Sequence, residues 1–199
     1  MRTIGITGGV GSGKTEILSY IRQKYNCRII LADEAAHELE KPGNVCYEDL
    51  VALMGEEILS EDGTICKQKM AEKIFSNHTM LQKVNEIVHP AVKEYILQEM
   101  EKEKKNQKYD FFFLEAALLI EEHYETILDE LWYIYTREEI RAERLRRSRG
   151  YSDEKILQIM KKQLSEEVFR KMCKVVIDNS EHLEDAYRQI DEKLEAYLC

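Results

Sequence analysis

A glycine-rich segment near the amino terminus, GGVGSGKT at residues 8–15, constrains the fold of this chain more than any other feature. It matches the phosphate-binding pattern G-x-x-x-x-G-K-[ST] in full, and a strand-like run at residues 2–7 precedes it. Apolar residues at helical spacing follow it at Ile17, Leu18 and Ile21. A strand, a glycine loop and a helix in this order form the setting in which backbone N–H groups hold nucleotide phosphates.

The chemistry of this loop predicts its ligand contacts. Glycines let backbone N–H groups converge on phosphate oxygens without side-chain clashes. Lys14 is expected to reach the β- and γ-phosphates of ATP, and Thr15 to ligate Mg²⁺. The alternative is a structural glycine turn with a surface lysine. The residues predicted to bind ATP in this segment are Gly8, Gly9, Val10, Gly11, Ser12, Gly13, Lys14, Thr15 and Glu16.

Short apolar runs along the chain predict an α/β fold. Near-continuous runs rich in Ile, Val, Phe and Tyr are typical of strands buried on both faces of a parallel sheet. Helical patterns separate these runs, as in alternating α/β proteins. The predicted strands are residues 2–7, 28–32, 109–115, 131–135 and 174–178.

The segment between the second and third runs is different, because residues 34–108 hold helical patterns and no convincing strand. His89-Pro90 predicts a break between two helices, since proline disfavours helical geometry in the residue before it and suits the first position of a helix. A block of this length exceeds a simple crossover, so we interpret it as an inserted substrate-binding subdomain. The predicted helices lie near residues 34–41, 45–54, 67–76, 78–88 and 91–107.

Charge and cysteine usage exclude several function classes. The chain has 29 Lys and Arg against 38 Asp and Glu, a formal net charge of −9, which disfavours nucleic acid or anionic membrane as a partner. No apolar run exceeds five residues, so neither a membrane-spanning helix nor a signal-peptide core is predicted. The five cysteines, Cys199 among them, form no Cys-x-x-Cys pair that would indicate zinc or a disulfide framework. We expect a cytoplasmic protein, a monomer or weak homo-oligomer, with small-molecule partners.

Positive charge is concentrated in one stretch, where six of the eleven arginines fall within residues 137–149. The T-x-x-E pattern at residues 136–139 is that of a capping box, so a helix is expected to begin there. Arginines on such a helix would neutralise charge on a transferring phosphoryl group. The alternative is a solvated helix face with glutamate partners. The arginines predicted to share one face are Arg137, Arg141 and Arg144.

A phosphate-binding loop alone does not distinguish a kinase from a GTPase. A GTPase should carry D-x-x-G after a strand and N-K-x-D for guanine, and neither pattern occurs in this chain. Two alternatives to a specific metabolite kinase remain. One is a kinase of the same architecture for a nucleoside monophosphate or another small molecule, and the other is a non-catalytic nucleotide-binding regulator.

The ordered set of motifs resembles the dephospho-CoA kinase family along the whole chain. IGITGGVGSGKT at residues 4–15 is close to that family's opening signature, and ADEAAHEL at 32–39 is similar to its acidic turn after the second strand. ALLIE at 117–121 resembles its Pro-Leu-Leu-Phe-Glu segment. The other matching positions are Gly63, Phe75, His89-Pro90, Arg144, Gln163 and VIDNS at 176–180.

This resemblance implies a reaction and an architecture. The reaction is ATP-dependent phosphorylation of the ribose 3′-hydroxyl of dephospho-CoA. The fold would be a three-layer P-loop kinase with a five-stranded parallel sheet, a helical CoA-binding insertion and a lid. The nucleotide-binding core would span residues 1–33 and 109–199, with the lid near 137–165 and the insertion at 34–108.

The resemblance also implies residue roles. Asp33 would orient the 3′-hydroxyl and accept its proton, although a helix N-cap is the alternative for this residue. Arg144 and Arg141 would contact ATP phosphates, and Lys14 completes the catalytic set. The remaining implied contacts are Asn179 with ATP, and His89 and Leu118 with dephospho-CoA. The alternatives are an ordinary turn residue for Asn179 and a turn histidine before proline for His89.

The chain departs from the family pattern at several positions. Leu31 stands where the family has a first acid before Ala32-Asp33, and Lys67 stands where an arginine is common. A lysine in place of an arginine weakens bidentate phosphate recognition. The other departures are Ala117 for proline, Ser148 for a second lid arginine, and Glu16 for a second hydroxyl. Glu115, at the end of the third run, is an acid that could assist Mg²⁺ through water.

Overall fold

Five apolar runs form one parallel sheet in the computed structural model, which describes residues 1–75 and 77–198. The strands are β1 (Arg2–Thr7), β2 (Cys27–Leu31), β3 (Phe111–Glu115), β4 (Glu130–Tyr135) and β5 (Val175–Asp178). Their order across the sheet is β2-β3-β1-β4-β5, so the strand that leads into the glycine loop lies in the centre. The predicted α/β class and five-stranded parallel sheet are therefore confirmed.

The central strands are buried because their side chains are apolar on both faces. Ile4 and Ile6 of β1 are fully buried, and Ile4 pairs in register with Phe113 of β3. Trp132 of β4, the single tryptophan of the chain, is also fully buried. Its ring meets that of Phe113 edge to face, with 6.3 Å between centroids. Burial of each such side chain stabilises the fold by about 1.5–3 kcal/mol.

The helices divide between two compact units. The first unit comprises Met1–Ile29 with Gln107–Cys199, and the second is Ile30–Asn106. Helices of the second unit are α2 (Ala32–Leu39), α3 (Tyr47–Met54), α4 (Lys67–Phe75) and α5 (His78–Asn106). Those of the first are α1 (Lys14–Lys24), α6 (Glu138–Arg149), α7 (Asp153–Lys161), α8 (Glu166–Met172) and α9 (Leu183–Leu198). Residue 76, the predicted end of one helix, and Cys199 lie outside the described residues.

The predicted helix break at His89-Pro90 is wrong. Both residues lie inside α5, which is continuous from His78 to Asn106. Proline removes one backbone hydrogen bond from a helix interior, at a cost of about 3 kcal/mol. A buried stripe at four-residue spacing opposes that cost as α5 packs against α2, α3 and α4. The residues of this stripe are Val84, Val88, Val92, Ile96 and Met100. No helix in the described part of the chain is long and apolar enough to cross a membrane.

Asp191 joins the last helix to the first. Its carboxylate accepts hydrogen bonds from the Tyr20 hydroxyl at 2.8 Å, the Tyr25 hydroxyl at 2.7 Å and the Lys24 ammonium at 2.6 Å. Partial burial alone would raise the pKa of Asp191, but these hydrogen bonds outweigh burial and lower it. The folded state therefore favours the ionised carboxylate.

Asp191→Asn should make the stability of the chain less dependent on acid pH. Because the pKa is lower in the folded state, the contribution of Asp191 is present above the ordinary aspartate pKa of about 3.9 and is lost as pH falls through the lowered value. At neutral pH we expect the variant to lose about 1–3 kcal/mol of unfolding free energy, a difference that shrinks in acid. Urea unfolding across this pH range measures it. Exposed Glu192, replaced by glutamine, is the control, and an equal loss at every pH would contradict the assignment.

Candidate active site

The glycine loop ends where α1 begins, and glycine is required at that point. Gly13 precedes the helix with φ 88° and ψ 22°, the left-handed region that other residues rarely adopt. No side chain caps the start of α1. The positive helix terminus and its backbone N–H groups are therefore available to an anionic ligand.

Lys14 lies across the loop. Its Nζ donates a hydrogen bond to the Gly8 carbonyl at 2.8 Å and lies 3.6 Å from a carboxylate oxygen of Glu115, at the end of β3. The lysine side chain is only 15% exposed. The next residue, Thr15, is exposed in the first turn of α1. The loop thus brings together an ammonium, a hydroxyl and a helix terminus. These are the groups that bind phosphates and coordinate their metal ion in nucleotide-binding loops.

Side chains from other parts of the chain contact the loop at the Ser12 carbonyl. Asn179 Nδ2 donates to this oxygen at 2.8 Å, and Arg144 Nη1 donates at 3.4 Å. Thr136 Oγ1 lies 3.0 Å from that oxygen, 2.8 Å from the Tyr135 carbonyl and 3.2 Å from the Asn179 carbonyl, so three carbonyls share one hydroxyl proton. Arg144 Nη2 donates to the Asn179 carbonyl at 2.9 Å. We call Thr136, Arg144 and Asn179 the Ser12 clamp.

The expected capping box at residues 136–139 is wrong. Helix α6 begins at Glu138, Arg137 is its flanking residue, and no side chain caps it. Thr136 is instead 2% exposed, and its hydroxyl belongs to the Ser12 clamp. Sequence reasoning missed this role. The available signal was a small polar residue directly after a buried strand, at the sheet edge where ligands of α/β proteins bind.

Arg141 covers the near side of the loop. Its Nε donates to the Val10 carbonyl at 3.0 Å, and its Nη2 donates to Gln163 Oε1. The guanidinium occupies the space next to Gly9 that a Cβ would need, so a larger residue there would displace the Arg141 side chain. Burial lowers the pKa of both Arg141 and Arg144, as expected for cations withdrawn from water. A bound polyphosphate would compensate this desolvation.

The arginine cluster divides into two groups. Arg141 and Arg144 are half-buried against the loop, whereas the other four arginines of the cluster are exposed. Two of these form surface ion pairs, Arg146 with Asp153 at 2.6 Å and Arg137 with Glu181 at 2.7 Å. The alternative of a solvated helix face therefore describes the exposed group. The phosphate contacts of Arg141 and Arg144 stay predictions.

The predicted ATP contact Asn179 lies beneath the loop. The residue is 1% exposed, and its side-chain amide nitrogen donates a hydrogen bond to the Ser12 carbonyl. Its contact with ATP stays a prediction. Leu118, predicted to bind dephospho-CoA, is 41% exposed in the turn after β3.

Two predicted site residues belong to the second unit. Asp33 is exposed in the first turn of α2, and His89 is half-buried within α5. The N-cap alternative for Asp33 is wrong, because α2 begins at Ala32 and is preceded by Leu31. The catalytic and substrate-binding roles of these residues stay predictions.

The match to known proteins extends over almost the whole chain. Residues 2–185 match the family model described as dephospho-CoA kinase. The chain belongs to the dephospho-CoA kinase family. A dephospho-CoA kinase from Streptococcus mutans is 32% identical, with 97% of this chain and 96% of the relative covered. The corresponding enzyme from Aquifex aeolicus is 35% identical, with 98% and 97% covered.

Solved structures agree with the fold. The protein TT1252 from Thermus thermophilus is 28% identical and superposes with a TM-score of 0.80. The superposition covers 98% of this chain and 97% of that one. A dephospho-CoA kinase from Campylobacter jejuni gives a TM-score of 0.74 at 21% identity, with 98% of this chain and 96% of that one covered. The predicted family and the kinase class, a phosphotransferase of CoA biosynthesis, are confirmed.

Thr136→Val should weaken ATP binding without changing the fold. Valine has nearly the same shape but removes the hydroxyl contact with the Ser12 carbonyl, so the loop loses part of its clamp. We expect the ATP dissociation constant to rise about fivefold, the equivalent of about 1 kcal/mol. Calorimetric titration measures it.

Thr126→Val is the matched control for this change. The Thr126 hydroxyl also donates to a backbone carbonyl, that of His123, but in an exposed turn. Equal ATP affinity in wild type and Thr136→Val would show that the Thr136 hydroxyl does not support ATP binding.

Proposed function

We propose that this kinase transfers the γ-phosphoryl group of ATP to the ribose 3′-hydroxyl of dephospho-CoA, giving coenzyme A and ADP. The family membership supports the reaction. The observation that carries the site assignment is the phosphate-binding loop, in which Lys14, an uncapped helix terminus and two half-buried arginines converge.

The loop and its arginines would bind and stabilise the transferring group. Backbone N–H groups from Gly9 to Thr15 would receive the β-phosphate, and Lys14 would exchange its bond with the Gly8 carbonyl for phosphate oxygens. Arg141 and Arg144 would neutralise charge that spreads over the γ-phosphoryl oxygens. The positive charge required for this is localised, while the chain as a whole carries −9.

Asp33 is proposed as the proton acceptor. The acceptor oxygen forms a bond to the γ-phosphorus as the bond from that phosphorus to the bridging oxygen of ADP breaks, and the hydroxyl proton passes to the carboxylate. Asp33 follows β2 directly, and ligands of open α/β sheets bind beyond the carboxyl ends of strands. Because Leu31 replaces the other acid of the family pattern, Asp33 must perform this task with its own carboxylate.

The residues present fit a magnesium ion delivered with ATP. Magnesium is commonly held by one or two protein oxygens together with nucleotide phosphates and water. The exposed Thr15 hydroxyl would be the direct ligand, with the Glu115 carboxylate available through water. When bound, the ion neutralises phosphate charge.

The second unit is proposed to bind dephospho-CoA. His89 and Leu118 are the proposed contacts in the two units respectively, and α6 with α7 is proposed to form the lid. The lid would exclude water from the transferring phosphoryl group, which limits ATP hydrolysis. The cytoplasmic location and the monomeric or weakly associated state also stay predictions.

Lys14→Ala and Asp33→Asn should each abolish most turnover, for different reasons. Loss of the ammonium removes phosphate stabilisation, whereas loss of the carboxylate removes the proton acceptor and should lower kcat about 10²–10⁴-fold. ADP release in the presence of dephospho-CoA measures both.

Glu34→Gln is the matched control, because Glu34 is an exposed acid next to Asp33 in the same helix turn. It should retain wild-type turnover. Asp33→Asn should still bind ATP normally. Wild-type turnover by Asp33→Asn would exclude Asp33 as the base.

The acceptor assignment predicts a specific product. Incubation with ATP and dephospho-CoA should yield coenzyme A, heavier than the acceptor by one phosphate, as measured by mass spectrometry. Nucleoside monophosphates should give no comparable ADP release. Strong turnover of a nucleoside monophosphate alone would favour the related-kinase alternative, and ATP binding without any transfer would favour the regulator.

A further inference from the structure

Arg141 faces the loop, and the Gln163 side chain holds its guanidinium. Nε and Nη2 form one edge of this planar group, and both are engaged, by the Val10 carbonyl and by Gln163 Oε1. Nη1 has no hydrogen-bond partner among residues 1–75 and 77–198. The opposite edge of the guanidinium therefore retains donors for a ligand.

Gln163 is fixed in the turn after α7. Its backbone N–H donates to the Met160 carbonyl at 3.1 Å, which ties it to the last turn of that helix. Helix α7 packs on α6 through buried Ile156. The Gln163 amide oxygen thus comes from a segment different from the one that carries Arg141, 22 residues earlier.

The orientation of Arg141 needs such a partner. An arginine side chain has several rotatable bonds, and ordering it costs about 2 kcal/mol of conformational entropy. The bond to Val10 alone leaves the guanidinium plane able to turn about one contact. A second bond from Gln163 fixes both the plane and the direction of the free edge.

We propose that Gln163 is a positioning residue that holds the Arg141 guanidinium on the loop so that its free edge binds ATP phosphate. The proposal rests on ATP binding at the loop, but not on the identity of the acceptor. Gln163 acts through Arg141 and does not touch the reacting atoms.

Gln163→Met tests this role, because methionine has similar length and shape but lacks the amide oxygen. The dissociation constant for ATP, measured by displacement of a fluorescent ATP analogue, should rise about fivefold, the size expected when one typical hydrogen bond is lost. The KM for dephospho-CoA should not change. Gln158→Met is the matched control, since Gln158 is exposed on α7.

A double-mutant cycle with Arg141→Ala separates positioning from general stability. Without the guanidinium, Gln163→Met should change ATP affinity by less than about twofold. An unchanged ATP dissociation constant in the single variant, or an equal weakening in both backgrounds, would overturn the proposal. If the wild type binds ATP but does not phosphorylate dephospho-CoA, the proposed function fails while the cycle still decides the role of Gln163.

Discussion

A single backbone oxygen, the Ser12 carbonyl, connects the segments that surround the glycine loop. The three side chains of its clamp follow β4, follow β5 and project from α6. Asn179 and Arg144 donate to this oxygen and the Thr136 hydroxyl lies 3.0 Å from it, so the ends of two strands and one helix are fixed relative to the glycine loop. A flexible sequence of glycines acquires a defined shape because its surroundings determine it.

The two half-buried arginines, Arg141 and Arg144, bring positive charge to the glycine loop. Arg144 donates hydrogen bonds to the Ser12 and Asn179 carbonyls, whereas Arg141 lies against Gly9 and Val10. Both guanidinium groups are partly withdrawn from water, which is unfavourable until an anion replaces the lost hydration. The loop therefore favours a polyanionic ligand in its unliganded geometry, despite the acidic composition of the chain.

Much of the fold could be predicted because it follows from local patterns. The strands are apolar runs, and the loop motif fixes its own place between β1 and α1. Two failures share a physical cause. Pro90 remains helical because a buried stripe on α5 outweighs the local penalty. Thr136 does not cap α6 because its hydroxyl is turned towards the Tyr135, Ser12 and Asn179 carbonyls.

The same reason limits what sequence could say about the site. Lys14, Arg141 and Arg144 were recognisable from motif and charge, but their partners are not local. The contact of Thr136 with Ser12 spans 124 residues, and that of Asn179 with Ser12 spans 167. No spacing rule predicts pairs so distant, which depend on where parallel strands end.

Only the first of the two units contains a tryptophan, so only that unit contributes tryptophan fluorescence. Trp132 lies in the central part of the sheet, fully shielded from water, and the second unit contains no tryptophan. Selective tryptophan emission consequently reports on the first unit, to which Trp132 belongs. Helical ellipticity lost before the tryptophan signal changes would indicate stepwise unfolding, and coincident changes in both signals would indicate concerted unfolding.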